Sequence, residues 1–147
     1  MQRTRFYVTT PIYYVNDRPH IGHAYTTILA DVLARYYRLM DVPSFFLTGT
    51  DEHGQKVSQA AEKAGITPQE QADNTVVRFR DAWKKFEITN DDFIRTTDKK
   101  HILGAQKLWA ACKNEDIYKK KYKGLYCVGC ECFYNEDELI DGLCPEH

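Results

Sequence analysis

His20-Ile21-Gly22-His23 sits between two stretches of different character, Arg5-Phe6-Tyr7-Val8-Thr9-Thr10-Pro11 upstream and a long apolar run downstream. The upstream stretch is rich in aromatic and β-branched residues and reads as a short strand that a proline stops. Downstream, Ile21, Ala24, Ile28, Val32, Tyr36 and Leu39 recur at helical spacing, with Tyr25, Leu29 and Leu33 beside them. The two histidines therefore fall where a strand turns into a helix.

The first turn of a helix carries free backbone N–H groups and the positive end of the dipole, and both favour phosphate. His20 and His23 are three residues apart, so both rings can face one side and donate to phosphate oxygens. Gly22 between them has no side chain to obstruct a flat base or a sugar. The competing reading is a histidine pair that caps or packs a helix end.

Met40-Asp41-Val42-Pro43 breaks the helix, and Ser44-Phe45-Phe46-Leu47-Thr48 reads as a buried strand ending in Gly49. Strand, helix, strand is a βαβ unit, with parallel strands and a right-handed crossover. Ligands of such sheets bind at the carboxyl ends of the strands. That rule places the loop of residues 11 to 20 and that of residues 48 to 54 on one rim.

Further along, Gln55 to Ala64 looks helical and stops at Gly65. Thr67-Pro68-Gln69-Glu70 is a capping box with proline at the first helical position. Ala72, Val76, Phe79, Trp83 and Phe86 then form an apolar stripe, with Arg78, Arg80, Lys84 and Lys85 off it as a solvated face. Residues 88 to 97 read as a polar connection, and residues 98 to 112 as a helix with Ile102, Ala105, Leu108, Trp109 and Cys112 on its apolar side. From Ile117 the character changes. Tyr118-Lys119-Lys120-Lys121-Tyr122 and Leu125-Tyr126 suggest strands around a turn at Lys123-Gly124, and the lysines suit a solvated strand edge.

Cys127-x-x-Cys130 and Cys144-x-x-His147 form a three-thiolate, one-imidazole set with the spacing of a structural zinc site. Four such ligands close a tetrahedron without leaving a position for water, so one zinc per chain would hold two loops together and perform no chemistry. Cys112 and Cys132 read as non-ligands.

A content of 43% hydrophobic and 28% charged residues describes a globular chain, and a net charge of −1 gives no electrostatic footprint for nucleic acid. With no signal-peptide core and no run long enough to span a bilayer, the sequence reads as cytoplasmic, with no membrane partner. The odd count of five cysteines suits metal better than disulfides.

The run Thr9-Thr10-Pro11-Ile12-Tyr13-Tyr14-Val15-Asn16-Asp17-Arg18-Pro19-His20-Ile21-Gly22-His23 closely resembles the signature of class I aminoacyl-tRNA synthetases, in the wording of the methionyl-tRNA synthetase family. Leu47-Thr48-Gly49-Thr50-Asp51-Glu52-His53-Gly54-Gln55-Lys56 resembles a second block of that family at the expected separation. The resemblance extends to the last residue. It implies an α/β fold, the first half of a Rossmann-like nucleotide-binding parallel sheet with helices, over residues 1–116. Residues 117–147 would be the start of a small inserted zinc-knuckle domain.

For activity, the resemblance implies methionine–tRNA ligation. L-methionine is activated by ATP, with magnesium, to methionyl-adenylate and transferred to tRNA(Met). His20 and His23 would be catalytic, and with Gly22 they would bind ATP. Pro11, Ile12 and Tyr14 would line the methionine pocket, and Asp51 would hold the substrate ammonium. In isolation Tyr14 also reads as a core tyrosine and Asp51 as a loop carboxylate capping backbone N–H groups. His53 receives no role, and Lys56 suits either phosphate or a helix surface. The family's second signature, Lys-Met-Ser-Lys-Ser or a close variant, and its anticodon-reading domain have no counterpart here. The expectation is an N-terminal part of a synthetase that does not aminoacylate alone. A catalytically silent synthetase-like chain and a stand-alone zinc module that binds nucleic acid are the alternatives.

Overall fold

The computed structural model describes residues 5–147. Its contacts divide the chain into two units, Met1–Leu103 and Gly104–His147. The first unit is built on a parallel sheet: β1 (Phe6–Thr9), β2 (Tyr13–Tyr14), β3 (Ser44–Asp51) and β4 (Asp92–Arg95). Strand β3 pairs with β1 along its first half, from Phe6 opposite Ser44 to Thr9 opposite Leu47. It then pairs with β2 at its carboxyl end, Tyr13 opposite Thr50 and Tyr14 opposite Asp51. On its other edge β4 runs from Asp92 opposite Leu47 to Arg95 opposite Thr50. β3 is longer than the sequence suggests, since it continues through Gly49 to Asp51.

Helix α1 (Ile21–Leu39) crosses from β1 to β3. His20 is its N-cap, and Asp41, with a φ of 53°, ends it in the left-handed conformation while Val42 donates back to the Tyr37 carbonyl. The residues it buries are Thr27, Ala30, Asp31 and Ala34. Small alanines let the helix lie close to Phe46 and Val8. Apart from Ala24, which packs against the Tyr13, Phe79 and Trp83 cluster, the apolar positions that gave α1 its periodicity face outward instead, with Ile21 88% and Leu39 83% exposed, and Ile28, Val32 and Tyr36 exposed as well. Tyr7 and Phe45, on the outer side of β1 and β3, are exposed too and stack with ring centroids 5.9 Å apart. Among the described residues, β1 pairs along one edge only.

Helices α2 (Gln55–Ala64) and α3 (Pro68–Lys85) follow the expected signals. Gly65 ends α2 with φ 68°, and Thr67 and Glu70 close a reciprocal capping box at the start of α3. Ala72, Val76, Phe79 and Trp83 are buried as the stripe implies, whereas Phe86 is half exposed. Val15, Val57, Ala72 and Val76 form one core cluster, and Tyr13, Phe79 and Trp83 another.

The segment read as a polar connection contains β4. Asp92-Phe93-Ile94-Arg95 is four residues long with charge at both ends, so its strand character comes from pairing with β3 rather than from a local pattern. The pairing needs Gly49, where an added Cβ would lie 2.0 Å from the Ile94 carbonyl oxygen.

Helix α4 (Lys99–Ala111) runs across the division between the units and buries none of its side chains. In the second unit, residues 118 to 124 form no strand. The hairpin is instead β5 (Leu125–Cys127) with β6 (Cys132–Tyr134), antiparallel, around a turn in which Glu131 has a φ of 53°. Adjacent lysines repel along an edge, while the Cys127 to Cys132 turn brings its own strands together; Tyr122 packs edge-on against Phe133 at 4.9 Å.

Gly49→Ala pushes a methyl group onto backbone that cannot move aside. It is expected to cost about 3 kcal/mol, at the upper end for overpacking, read as a lower urea midpoint followed by tryptophan fluorescence, to which Trp83 is the buried contributor and Trp109 the exposed one.

Candidate active site and metal centre

The cap of α1 is made by the histidines themselves. Gly22 N–H donates to Nδ1 of His20 at 3.1 Å, and His20 N–H donates to Nδ1 of His23 at 3.2 Å, a reciprocal box in which imidazoles replace the usual hydroxyl and carboxylate. With both Nδ1 atoms accepting, each neutral ring carries its proton on Nε2. The rings stack with centroids 3.7 Å apart and planes 26° from parallel. Gly22 permits this, since a Cβ there would meet Cε1 of His20 at 3.0 Å. The capping and phosphate-donor readings of the histidines are thus compatible, because capping uses Nδ1 and leaves Nε2–H free to donate.

Burial, with a smaller contribution from the neighbouring His20, holds the pKa of His23 below its ordinary value. Tyr13, a residue that the sequence reading passed over, supplies much of that burial. Its ring lies 4.6 Å from His23 and 5.7 Å from Phe79, and its hydroxyl pairs with Thr27 at 2.9 Å. No local signal marks Tyr13, because β2 is two residues long and its alternation shows only once it is paired with β3.

Tyr14 is the outward one, and the register sets it directly beside Asp51. Strand β2, too short to read in the sequence, thus joins the two signature stretches on one rim. The Lys56 ammonium lies 5.7 Å over the Tyr14 ring. Pro11 and Ile12 are exposed on the loop before β2. Asp51 Oδ1 accepts from the His53 N–H at a long 3.4 Å. An apolar recess of about 330 Å³ lies beside His20, with Ala82 and Trp83 of α3 and Phe86 just past its end as the far wall.

Behind the rim, Asp31 is buried and accepts from the Thr89 N–H at 2.7 Å, the Thr89 hydroxyl at 2.6 Å and Arg35 Nε at 2.6 Å. Burial alone would raise its pKa, but these donors together hold it below the ordinary range.

In the second unit, Cys127, Cys130, Cys144 and His147 bring one ligand atom each to within 4.8 Å of one another. The Sγ atoms of Cys130 and Cys144 are 3.5 Å apart, and Nδ1 of His147 is 3.2 Å from the first and 3.9 Å from the second. A tetrahedron with metal–sulfur bonds of about 2.3 Å has edges of about 3.8 Å, so the donor set fits a metal ion. Gly129 makes room for it, since a Cβ there would lie 2.4 Å from the His147 ring. Cys132 is outside the cluster.

The family model for class I tRNA synthetases (M) matches residues 6–147. The chain belongs to this family. It is 58% identical to the methionine–tRNA ligase of Thermotoga maritima over 147 residues, covering 97% of this chain and 23% of that protein. It is 53% identical to the enzyme of the same name from Campylobacter jejuni, covering 95% of this chain and 23% of the relative. The fold matches the crystal structure of Mycobacterium tuberculosis methionyl-tRNA synthetase bound by methionyl-adenylate. The TM-score is 0.86 at 44% identity, over 94% of this chain and 28% of that one. This synthetase chain therefore spans about a quarter of the length of the relatives it matches.

The His23 box predicts a pH response. Its folded pKa lies below the unfolded value of about 6.5, so its stabilisation is complete above that pH and is lost as pH falls through the folded value. Thermal unfolding should show a Tm drop between pH 7.5 and pH 5.5, and His23→Gln should reduce that drop while lowering the Tm at pH 7.5.

Proposed function

We propose that this chain is the ATP- and methionine-binding part of a methionine–tRNA ligase, with residues 1–116 as half of the catalytic domain and residues 117–147 as the start of an inserted zinc-bearing domain. The observation that carries this reading is the stacked His20–His23 pair at the start of α1, on the rim where Tyr14 lies beside Asp51.

In activation, a carboxylate oxygen of methionine attacks the α-phosphorus of ATP in line, and pyrophosphate leaves. The protein forms no bond to either reactant, so rate comes from positioning and from donors aimed at the phosphate oxygens. The Nε2–H groups of His20 and His23 supply such donors. Their Nδ1 atoms are held by backbone N–H groups, so the rings need no reorganisation as charge develops, and the positive end of the α1 dipole adds to the same field. Gly22 leaves the approach open. Asp51 takes the substrate ammonium, and Pro11, Ile12 and Tyr14 form the wall against the thioether. Magnesium accompanies ATP, and tRNA(Met) is the acceptor for the complete protein.

Cys127, Cys130, Cys144 and His147 hold zinc as a structural ion that ties the β5–β6 turn to the chain end. No described helix is long and apolar enough to cross a membrane; the reading is of a cytoplasmic enzyme.

Two experiments test this reading. Methionine-dependent ATP–pyrophosphate exchange by the complete natural polypeptide should fall about 10²- to 10³-fold in His20→Ala; exchange indifferent to that change would remove the histidines from the chemistry. Elemental analysis of the 147-residue chain should find one zinc per chain, and less in Gly129→Ala, whose added methyl displaces His147. Retention of metal by a Cys130→Ser/Cys144→Ser variant would overturn the ligand assignment.

A further inference from the structure

Next to Asp51 stands a carboxylate that no substrate can reach. The Glu52 side chain is fully buried. Its Oε1 accepts from Thr50 Oγ1 at 2.7 Å and Arg95 Nε at 2.7 Å, and its Oε2 accepts from Arg95 Nη2 at 2.9 Å and from the Thr97 hydroxyl. The Glu52 N–H donates to Thr96 Oγ1 at 2.9 Å. Arg95, at the end of β4, also reaches Asp73 on α3. These partners hold the Arg95 guanidinium firmly in its charged form.

Burying an ion pair is a poor route to stability, because desolvation consumes most of the attraction. What such a pair does supply is fixed geometry, here a two-pronged fork that only arginine can make. The place where it acts is specific. Tyr14 opposite Asp51 is the last paired position of β2 with β3, so past Asp51 the strand has no further ladder to hold it. Among the described residues, the Asp51 side chain itself has only the long contact to the His53 N–H. The main chain at residues 51 and 52 is held from the other side, by the Glu52 cluster.

We propose that Glu52 and Arg95 are positioning residues that fix Asp51 on the rim for the ammonium group of methionine. The proposal rests on the assignment of Asp51 to that ammonium. Side chains at 51 and 52 leave the strand in opposite directions, one toward the cleft and one into the protein. Anchoring the inner one therefore sets the outer one. Arg95 carries the constraint to β4 and α3, so a carboxylate at a strand end is braced by three elements.

The test is steady-state ATP–pyrophosphate exchange with the complete natural polypeptide. Arg95→Met should raise the methionine KM about 10- to 100-fold, the scale of a misplacement of about 1 Å, and leave the ATP KM within about twofold. Arg95→Lys, which keeps charge but loses the fork, should fall between the two. Glu52→Gln preserves shape and packing and gives the same split should Arg95→Met fail to fold. The decisive arm is non-additivity: Asp51→Asn combined with Arg95→Met should match Asp51→Asn alone, because a residue that acts through Asp51 has nothing left to position. Parallel rises in both KM values, an unchanged methionine KM in Arg95→Met and Glu52→Gln, or multiplicative effects in the double variant would each overturn the proposal. An unchanged methionine KM in Asp51→Asn would overturn the ammonium assignment itself, and is recognisable because the Glu52–Arg95 pair is intact in that variant.

Discussion

Pairing along β3 is the interaction from which the N-terminal unit is built. Its first half takes β1, and its carboxyl end takes β2 on the same edge and β4 on the other. Because all three partners are parallel to it, the chain must leave and return between each pair, and the segments that do so become α1, α2 and α3. The interior along β3 is short of bulk: after Phe46 the buried positions are Thr48, Gly49 and Thr50. Thr48 pairs with the Thr10 hydroxyl at 2.7 Å and Thr50 with Glu52, so the strand end is held by polar contacts and close backbone approach more than by apolar packing.

The same polar style recurs where α1 meets the loop before β4. Arg38 reaches the Thr89 carbonyl and hydroxyl as well as Asp91, and Asp91 accepts the Phe46 N–H at 2.7 Å. Together with Asp31 on Thr89, these contacts fix the far end of the crossover helix relative to the sheet. A helix whose inner face is mostly alanine and threonine has little area to bury, and directional bonds take over the task of setting its axis.

What could be read from the sequence follows from range. The helices announced themselves through local chemistry: the proline-led capping box at Thr67, the glycine stop at Gly65, the four-and-three spacing of Ala72, Val76, Phe79 and Trp83. The Cys127, Cys130, Cys144 and His147 cluster was legible because two short knuckles can bring four donor atoms within a few ångströms of one another. β2 and β4 were not, since two and four residues make no pattern and become strands only against β3. Glu52 was visible in the motif, but its partner Arg95 is 43 residues away, and nothing local says that the two meet. The apolar spacing of α1 gave the helix correctly, yet it marks the outer surface, because periodicity identifies a face without saying what that face meets.

The outer edge of β1 has a consequence for the chain in solution. Among the described residues it is unpaired, and Tyr7 and Phe45 are exposed on the sheet face away from α1, so an extended segment reaching this edge meets main-chain donors and acceptors with apolar side chains beside them. An edge of that kind is where strand-to-strand association starts, so whatever shields it also sets how readily the unit self-associates.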